Sequence, residues 1–137
     1  MKNENQEHVK AIADTLEAIA DERLYKCPEC GEYVEDNNLF CSCGCQVDLI
    51  GSEETDPWEN VSFYDYFENA LDIDYIVNSS KEYKACRIMV AFGGPNIYIN
   101  TWDRKVELFW WTESASFYLS SNVCNAIDEI MEEYFNC

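Results

Sequence analysis

Five cysteines that fall within 19 residues are the feature that most constrains the fold of this chain. Two of them lie in the segment CPECG at 27–31, and three lie in CSCGC at 41–45. Two cysteine-bearing bends about ten residues apart are typical of a zinc ribbon, in which each bend presents thiolates to one tetrahedral ion. Glycine after a cysteine permits the positive φ that such a bend needs. The pattern therefore predicts one zinc ion.

The first-choice ligand set repeats the Cys-Gly ending of the first bend in the second. It consists of Cys27, Cys30, Cys41 and Cys43, with Cys45 as the alternative fourth ligand. Four thiolates leave no open coordination position, so the zinc is expected to be structural. A disulfide framework is the alternative interpretation, and the lack of an export-signal pattern weighs against it.

The rest of the chain predicts an α+β fold. Apolar residues at steps of three and four predict an amphipathic helix over 4–23, which packs on its own protein or on a dimer or partner surface. A second amphipathic helix is expected to start at Ser120 or Ser121, and a short helix falls within 61–71. Five strand-like runs lie between them, and their short breaks favour an antiparallel meander. Those runs are 73–77, 83–92, 96–101, 106–112 and 116–119.

Composition shifts along the chain predict three parts. Residues 1–50 hold the N-terminal helix and the zinc-ribbon hairpin, with a turn at 36–38. Residues 51–60 are polar and rich in breakers, which is typical of a linker. Residues 61–137 form an acidic α+β domain. The protein is expected to be a monomer or a weak dimer.

Charge excludes the simplest nucleic-acid and membrane binders. The chain carries 27 Asp and Glu against 9 Lys and Arg, a formal net charge of −18. Phosphates and anionic lipid surfaces repel such a chain. With no long apolar run, a cytoplasmic protein is expected.

The acidic residues avoid one part of the chain. Residues 51–82 hold nine acids and one base, whereas residues 83–120 hold three acids and four bases. A rigid acidic surface complements a basic partner, although charge kept only for solubility is the alternative. The candidate partner-binding residues are Glu53, Glu54, Asp56, Glu59, Asp65, Glu68, Asp72 and Asp74 (the 53–74 acidic group) and Asp128, Glu129, Glu132 and Glu133 (the C-terminal acidic group).

No catalytic motif stands out, and the chain is expected not to be an enzyme. The sequence has a single histidine and lacks the nucleophile-elbow, phosphate-loop and zinc-protease patterns. The run Phe109-Trp110-Trp111 alternates along a predicted strand, so one set of its side chains is expected in the core.

The block FGGPNIYINTW at 92–102, with VELFWW at 106–111, resembles small acidic proteins of phages and mobile elements of Gram-positive bacteria. Together with the CPECG segment, the whole chain is similar to zinc-containing type II-A anti-CRISPR proteins. The resemblance implies host-defence evasion in a bacterial cytoplasm.

The implied activity is inhibition of the RNA-guided nuclease of type II CRISPR systems by direct binding. The nuclease holds its guide–target duplex in a positively charged channel. Occupation of a basic surface on its recognition lobe is the implied way of preventing target-DNA loading. The resemblance carries over no residue-level role.

A zinc-ribbon adaptor that binds a transcription or replication component is the alternative function. Direct contact of the ribbon with DNA requires bases near its bends. Lys26 is the only one there, against Glu29, Glu32, Glu35 and Asp36. Protein contact remains open under this alternative.

Overall fold

The computed structural model describes residues 2–35, 41, 44 and 58–136 and has the predicted α+β fold. Three helices and eight strands follow one another in these residues. In chain order they are α1 (Lys2–Ala20), β1 (Leu24–Lys26), β2 (Tyr33–Glu35), β3 (Glu59–Asn60), α2 (Phe63–Tyr66), β4 (Asp72–Val77), β5 (Tyr83–Ala91), β6 (Asn96–Asn100), β7 (Lys105–Trp110), β8 (Glu113–Tyr118) and α3 (Ser121–Phe135).

Strands β4 to β8 form the predicted antiparallel meander, in the order β4-β5-β6-β7-β8. Each strand pairs with the next in sequence, because the breaks between them are too short for a crossover. One row across the sheet joins Ile88, Ile99 and Val106, which are fully buried. This row lies on the face that the helices cover.

Helix α1 packs on β7, β8 and α3 of the same chain. Its Val9 and Leu16 are fully buried in one core cluster with Ile88 and Ile99. The interpretation that this helix packs on its own protein is therefore confirmed. Helix α1 completes the core of the large sheet. The predicted division at residue 50 instead groups this helix with the ribbon in a separate N-terminal unit, and the packing of α1 does not fit that grouping.

Helices α2 and α3 begin at serine caps. The Ser120 hydroxyl accepts a hydrogen bond from the Val123 N–H at 3.2 Å, so α3 starts where the sequence predicts. At α2, the Ser62 hydroxyl accepts from the Asp65 N–H and the Asp65 carboxylate accepts from the Ser62 N–H, which makes a capping box.

A second, three-stranded sheet has the order β2-β1-β3. Residues Glu59 and Asn60 pair with Lys26 and Tyr25, and Trp58 beside them is buried. Residues 58–60 therefore belong to the small sheet, and their prediction as linker is wrong. Residues 51–57 of the predicted linker and the predicted turn at 36–38 lie outside the described residues.

Within the described part of the chain, no helix is both long enough and apolar enough to cross a membrane.

Candidate metal centre

The bend after β1 carries Cys27 and Cys30. The Cys27 N–H donates to the Glu32 carbonyl at 2.8 Å, and the Gly31 N–H donates to the Cys27 carbonyl at 2.9 Å. Gly31 has a φ of 77°, a left-handed conformation that glycine adopts without a Cβ clash. The turn places both thiols beside Cys41.

The second bend has a related hydrogen bond at Cys41, which spans three residues rather than four. The Gly44 N–H donates to the Cys41 carbonyl at 3.0 Å, and Gly44 has a φ of 94°. Positive φ is therefore present at a glycine in each of the two bends, as the sequence predicts.

Three thiols meet at this point. The Sγ atoms of Cys27, Cys30 and Cys41 all lie within 4.8 Å of one another. The distance is 3.5 Å between Cys27 and Cys41 and 3.8 Å between Cys30 and Cys41. Zinc–sulfur bonds of about 2.3 Å in a tetrahedron separate the sulfurs by roughly 3.8 Å. The three cysteines can therefore hold a metal ion.

The electrostatics at Cys27 favour the ligand form of its thiol. Burial raises its pKa, but hydrogen bonds from the Cys30 and Glu29 backbone and from the Cys41 and Cys30 side chains outweigh burial. The pKa of Cys27 is lowered to about 6. A thiolate is the form that coordinates metal ions, and it prevails here at neutral pH.

The thiols form part of a small apolar cluster of their own. Cys27 and Cys41 are buried with Val34 and Trp58, and Tyr25 packs against them. Cys30 is exposed at the outer side. Trp58 comes from the segment that follows the ribbon, a contact that the cysteine spacing does not reveal.

Three of the predicted zinc ligands are thus brought together. Cys43 and Cys45, the two candidates for the fourth ligand, lie outside the described residues. Their role stays a prediction.

Two other described cysteines are distant from this chemistry. Cys86 and Cys124 are buried in the core of the large sheet. Burial raises the pKa of Cys86, and it raises the pKa of Cys124 to about 11. Both stay protonated at neutral pH.

Most of the candidate partner-binding acids are on the surface. Eight of them are exposed: Glu59, Asp65, Glu68, Asp72, Asp74, Glu129, Glu132 and Glu133. Glu53, Glu54 and Asp56 lie outside the described residues.

Asp128 is the exception, because it does not belong to the exposed acidic surface that the sequence predicts. Its Oδ1 accepts a hydrogen bond from the Tyr83 hydroxyl at 2.6 Å and another from the Thr101 hydroxyl at 2.8 Å. Thr101 is buried, and Asp128 is half-buried. This carboxylate therefore joins α3 to β5 and to the end of β6.

Tyr64 connects the two acidic groups. Its hydroxyl donates to Glu133 Oε2 at 2.6 Å, and its ring packs edge-on against Tyr134. The hydrogen bond to Glu133 raises the pKa of Tyr64 to about 12, with Glu129 contributing. The acids of α3 thus lie beside α2, which carries Asp65 of the 53–74 acidic group.

The aromatic run at the end of β7 does not reach the core. Phe109 and Trp110 are each 38% exposed, and Trp111 is 87% exposed. The expectation that one set of these side chains is core is wrong: Phe109 and Trp110 are the last two residues of β7, at the end of the sheet, and Trp111 lies in the turn to β8.

Comparison with protein-family models, with curated proteins and with solved structures finds no match to this chain. Fold and site define the class: an α+β protein in which a ribbon-like bend pair offers three thiols to a metal ion.

Proposed function

We propose that this chain is an anti-CRISPR inhibitor that binds the type II RNA-guided nuclease through its acidic surface and blocks target-DNA loading. Its role is binding rather than catalysis, and it acts in the cytoplasm of a bacterial host. One structural zinc ion holds the ribbon in shape.

The zinc assignment is supported by the donor set. Three thiols at tetrahedral spacing, one with a lowered pKa, suit zinc better than the oxygen-seeking cations. The segment around them has a core of few residues, so metal binding supplies stability that packing alone does not. Cys43 or Cys45 completes the set in this proposal.

The observation that carries the functional proposal is the uncompensated negative surface. Bases that form ion pairs do so with other acids: Lys10 with Asp14, Arg23 with Asp21 and Glu35, and Arg87 and Lys105 with Glu107. Within the described ranges, none of the eight exposed candidate acids has an ion-pair partner. Such a surface attracts a basic partner over long range.

The negative surface predicts a basic partner. The resemblance to anti-CRISPR proteins implies that this partner is the type II nuclease. Proteins that grip nucleic acid carry the largest basic surfaces, and the nuclease channel is one of them. Carboxylates can occupy positions that phosphates take in the loaded nuclease, so inhibitor and target DNA compete.

The test compares two charge reversals of equal size. E129K/E132K alters the C-terminal acidic group, whereas E4K/E7K alters exposed acids of α1. We expect the first variant to bind the guide-loaded nuclease at least roughly tenfold more weakly, chiefly through slower association. The second should stay close to wild type. Equal affinity of all three proteins across a salt series contradicts the electrostatic mechanism.

A further inference from the structure

Large aromatic side chains lie in the open at one end of the five-stranded sheet. Here β5 turns into β6 and β7 turns into β8. Trp111 is 87% exposed, Phe92 is 72% exposed, and Trp110, beside Gly94, is 38% exposed. We call these three residues the aromatic end. Clustered exposed aromatics commonly mark interaction sites.

Trp111 occupies a position that the fold alone does not favour. Trp110 pairs with Glu113, so Trp111 and Thr112 form a two-residue hairpin loop. Trp111 has a φ of 56°, in the region where glycine or asparagine is usual at such turns. A bulky residue there costs on the order of 1 kcal/mol or more. Its described ring contact is with Trp110, at 5.7 Å between centroids. The Trp111 indole therefore contributes little to the stability of the fold. Its position points to a role in binding.

The charges of the sheet are arranged by end. Lys81 and Lys84 lie at the turn from β4 to β5, and Arg104 and Lys105 lie at the turn from β6 to β7. Both turns are at the end opposite Trp111, because adjacent strands are antiparallel.

Acidic residues lie at the aromatic end, where two of the strands begin. Asp72 begins β4, beside the exposed Leu71, and Glu113 begins β8. Among the described residues of the sheet and its turns, no base lies at this end. The aromatic end is therefore an apolar surface with acidic neighbours.

The acidic residues indicate which kind of molecule can bind at the aromatic end. A second copy brings another chain of net charge −18 and the same acids, so the two repel each other. A nucleic acid is repelled as well. A protein with an apolar pocket and a basic rim fits both the aromatic side chains and their neighbours.

We propose that the aromatic end is the anchoring contact for the basic protein partner, with the Trp111 indole inserted in an apolar pocket of that partner. This inference rests on the proposed function and adds to it separate roles for the acidic residues and for Trp111. The acids steer association, whereas the buried indole sets the lifetime of the complex.

The test is W111G, because glycine accepts the positive φ and the variant is expected to fold. W102A is the matched control: it removes an exposed indole from the turn at the opposite end. Binding of each protein to the immobilised, guide-loaded nuclease is followed by biolayer interferometry, with thermal unfolding recorded alongside. We expect W111G to dissociate at least about tenfold faster at an unchanged association rate, and W102A to match wild type.

The other outcomes each overturn the inference. If W111G dissociates like wild type while E129K/E132K loses affinity, the proposed function stands and the anchor is wrong. If wild type does not bind the nuclease, both fail. If wild type sediments as a dimer and W111G sediments as a monomer, the aromatic end binds a second copy of this chain. W111G and W102A weakening binding equally shows a non-specific effect of losing an indole.

Discussion

The Tyr64 hydroxyl of α2 donates a 2.6 Å hydrogen bond to the Glu133 carboxylate of α3, across 69 residues of sequence. This contact joins α2, which carries Asp65, to the acidic C-terminal part of α3. Two segments that are far apart in the sequence therefore meet on one part of the surface.

Tyr64 should titrate well above an ordinary tyrosine. Ionisation puts a second negative charge next to Glu133, and the pKa is accordingly raised to about 12 from 10.0. Because the folded pKa is the higher one, the stabilising contribution is complete below pH 10 and is lost as the pH rises toward 12. Difference absorbance spectra of wild type against Y64F measure this titration. A Tyr64 titration at the ordinary value contradicts the contact.

Metal removal should expose Trp58. This indole is 5% exposed and packs in the cluster that contains Cys27 and Cys41. Chelation loosens the ribbon, so we expect the fluorescence emission to shift to the red and to recover when zinc is added back. In W58F the shift should largely vanish, since the other three tryptophans are more exposed in the folded protein. An emission spectrum unchanged by chelation contradicts a structural metal in the ribbon.

Zinc content should identify the fourth ligand. C27S and C41S are each expected to lower the bound zinc from one ion per chain toward none, because they remove central thiols of the site. C43S or C45S, whichever removes the fourth ligand, should do the same, and the other should keep the ion. The control is C124S, whose thiol lies in the separate large core. Mass spectrometry under native conditions reads the stoichiometry, and full zinc in C27S contradicts the assignment.

Asp128 should matter for stability rather than for partner binding. D128A removes the carboxylate that accepts from the Tyr83 and Thr101 hydroxyls. Thr101 keeps another acceptor, the Cys86 carbonyl at 3.3 Å. We expect a loss of about 1–3 kcal/mol in the free energy of unfolding. D128N keeps an acceptor oxygen and should lose less. The exposed neighbour variant E129A should stay within about 0.5 kcal/mol of wild type. Urea denaturation measures all three, and equal stability of D128A and E129A contradicts the structural role.

The sequence predicted the elements better than their partners. Short breaks between apolar runs leave few ways to connect five strands, so the meander could be read directly. Cysteine spacing likewise located three thiols that meet. Contacts between distant segments have no such local signal. The pairing of β3 with β1, the burial of Trp58 and the docking of α1 on the large sheet all depend on tertiary packing.

Two residue-level expectations failed for a related reason. Alternation assigns side chains to faces only while the strand continues, and β7 ends at Trp110, before Trp111. Helical periodicity places Asp128 near its acidic neighbours but cannot show that Tyr83 and Thr101 approach it. Charge alone therefore overcounts the acids available to a partner.

Competition with target DNA tests the central claim most directly. The guide-loaded nuclease is titrated with this protein in the presence of labelled target duplex, and fluorescence anisotropy reports the bound DNA. We predict that wild type displaces or excludes the duplex, that E129K/E132K does so at clearly higher concentrations, and that E4K/E7K behaves like wild type. Target DNA that loads fully at saturating inhibitor contradicts the account.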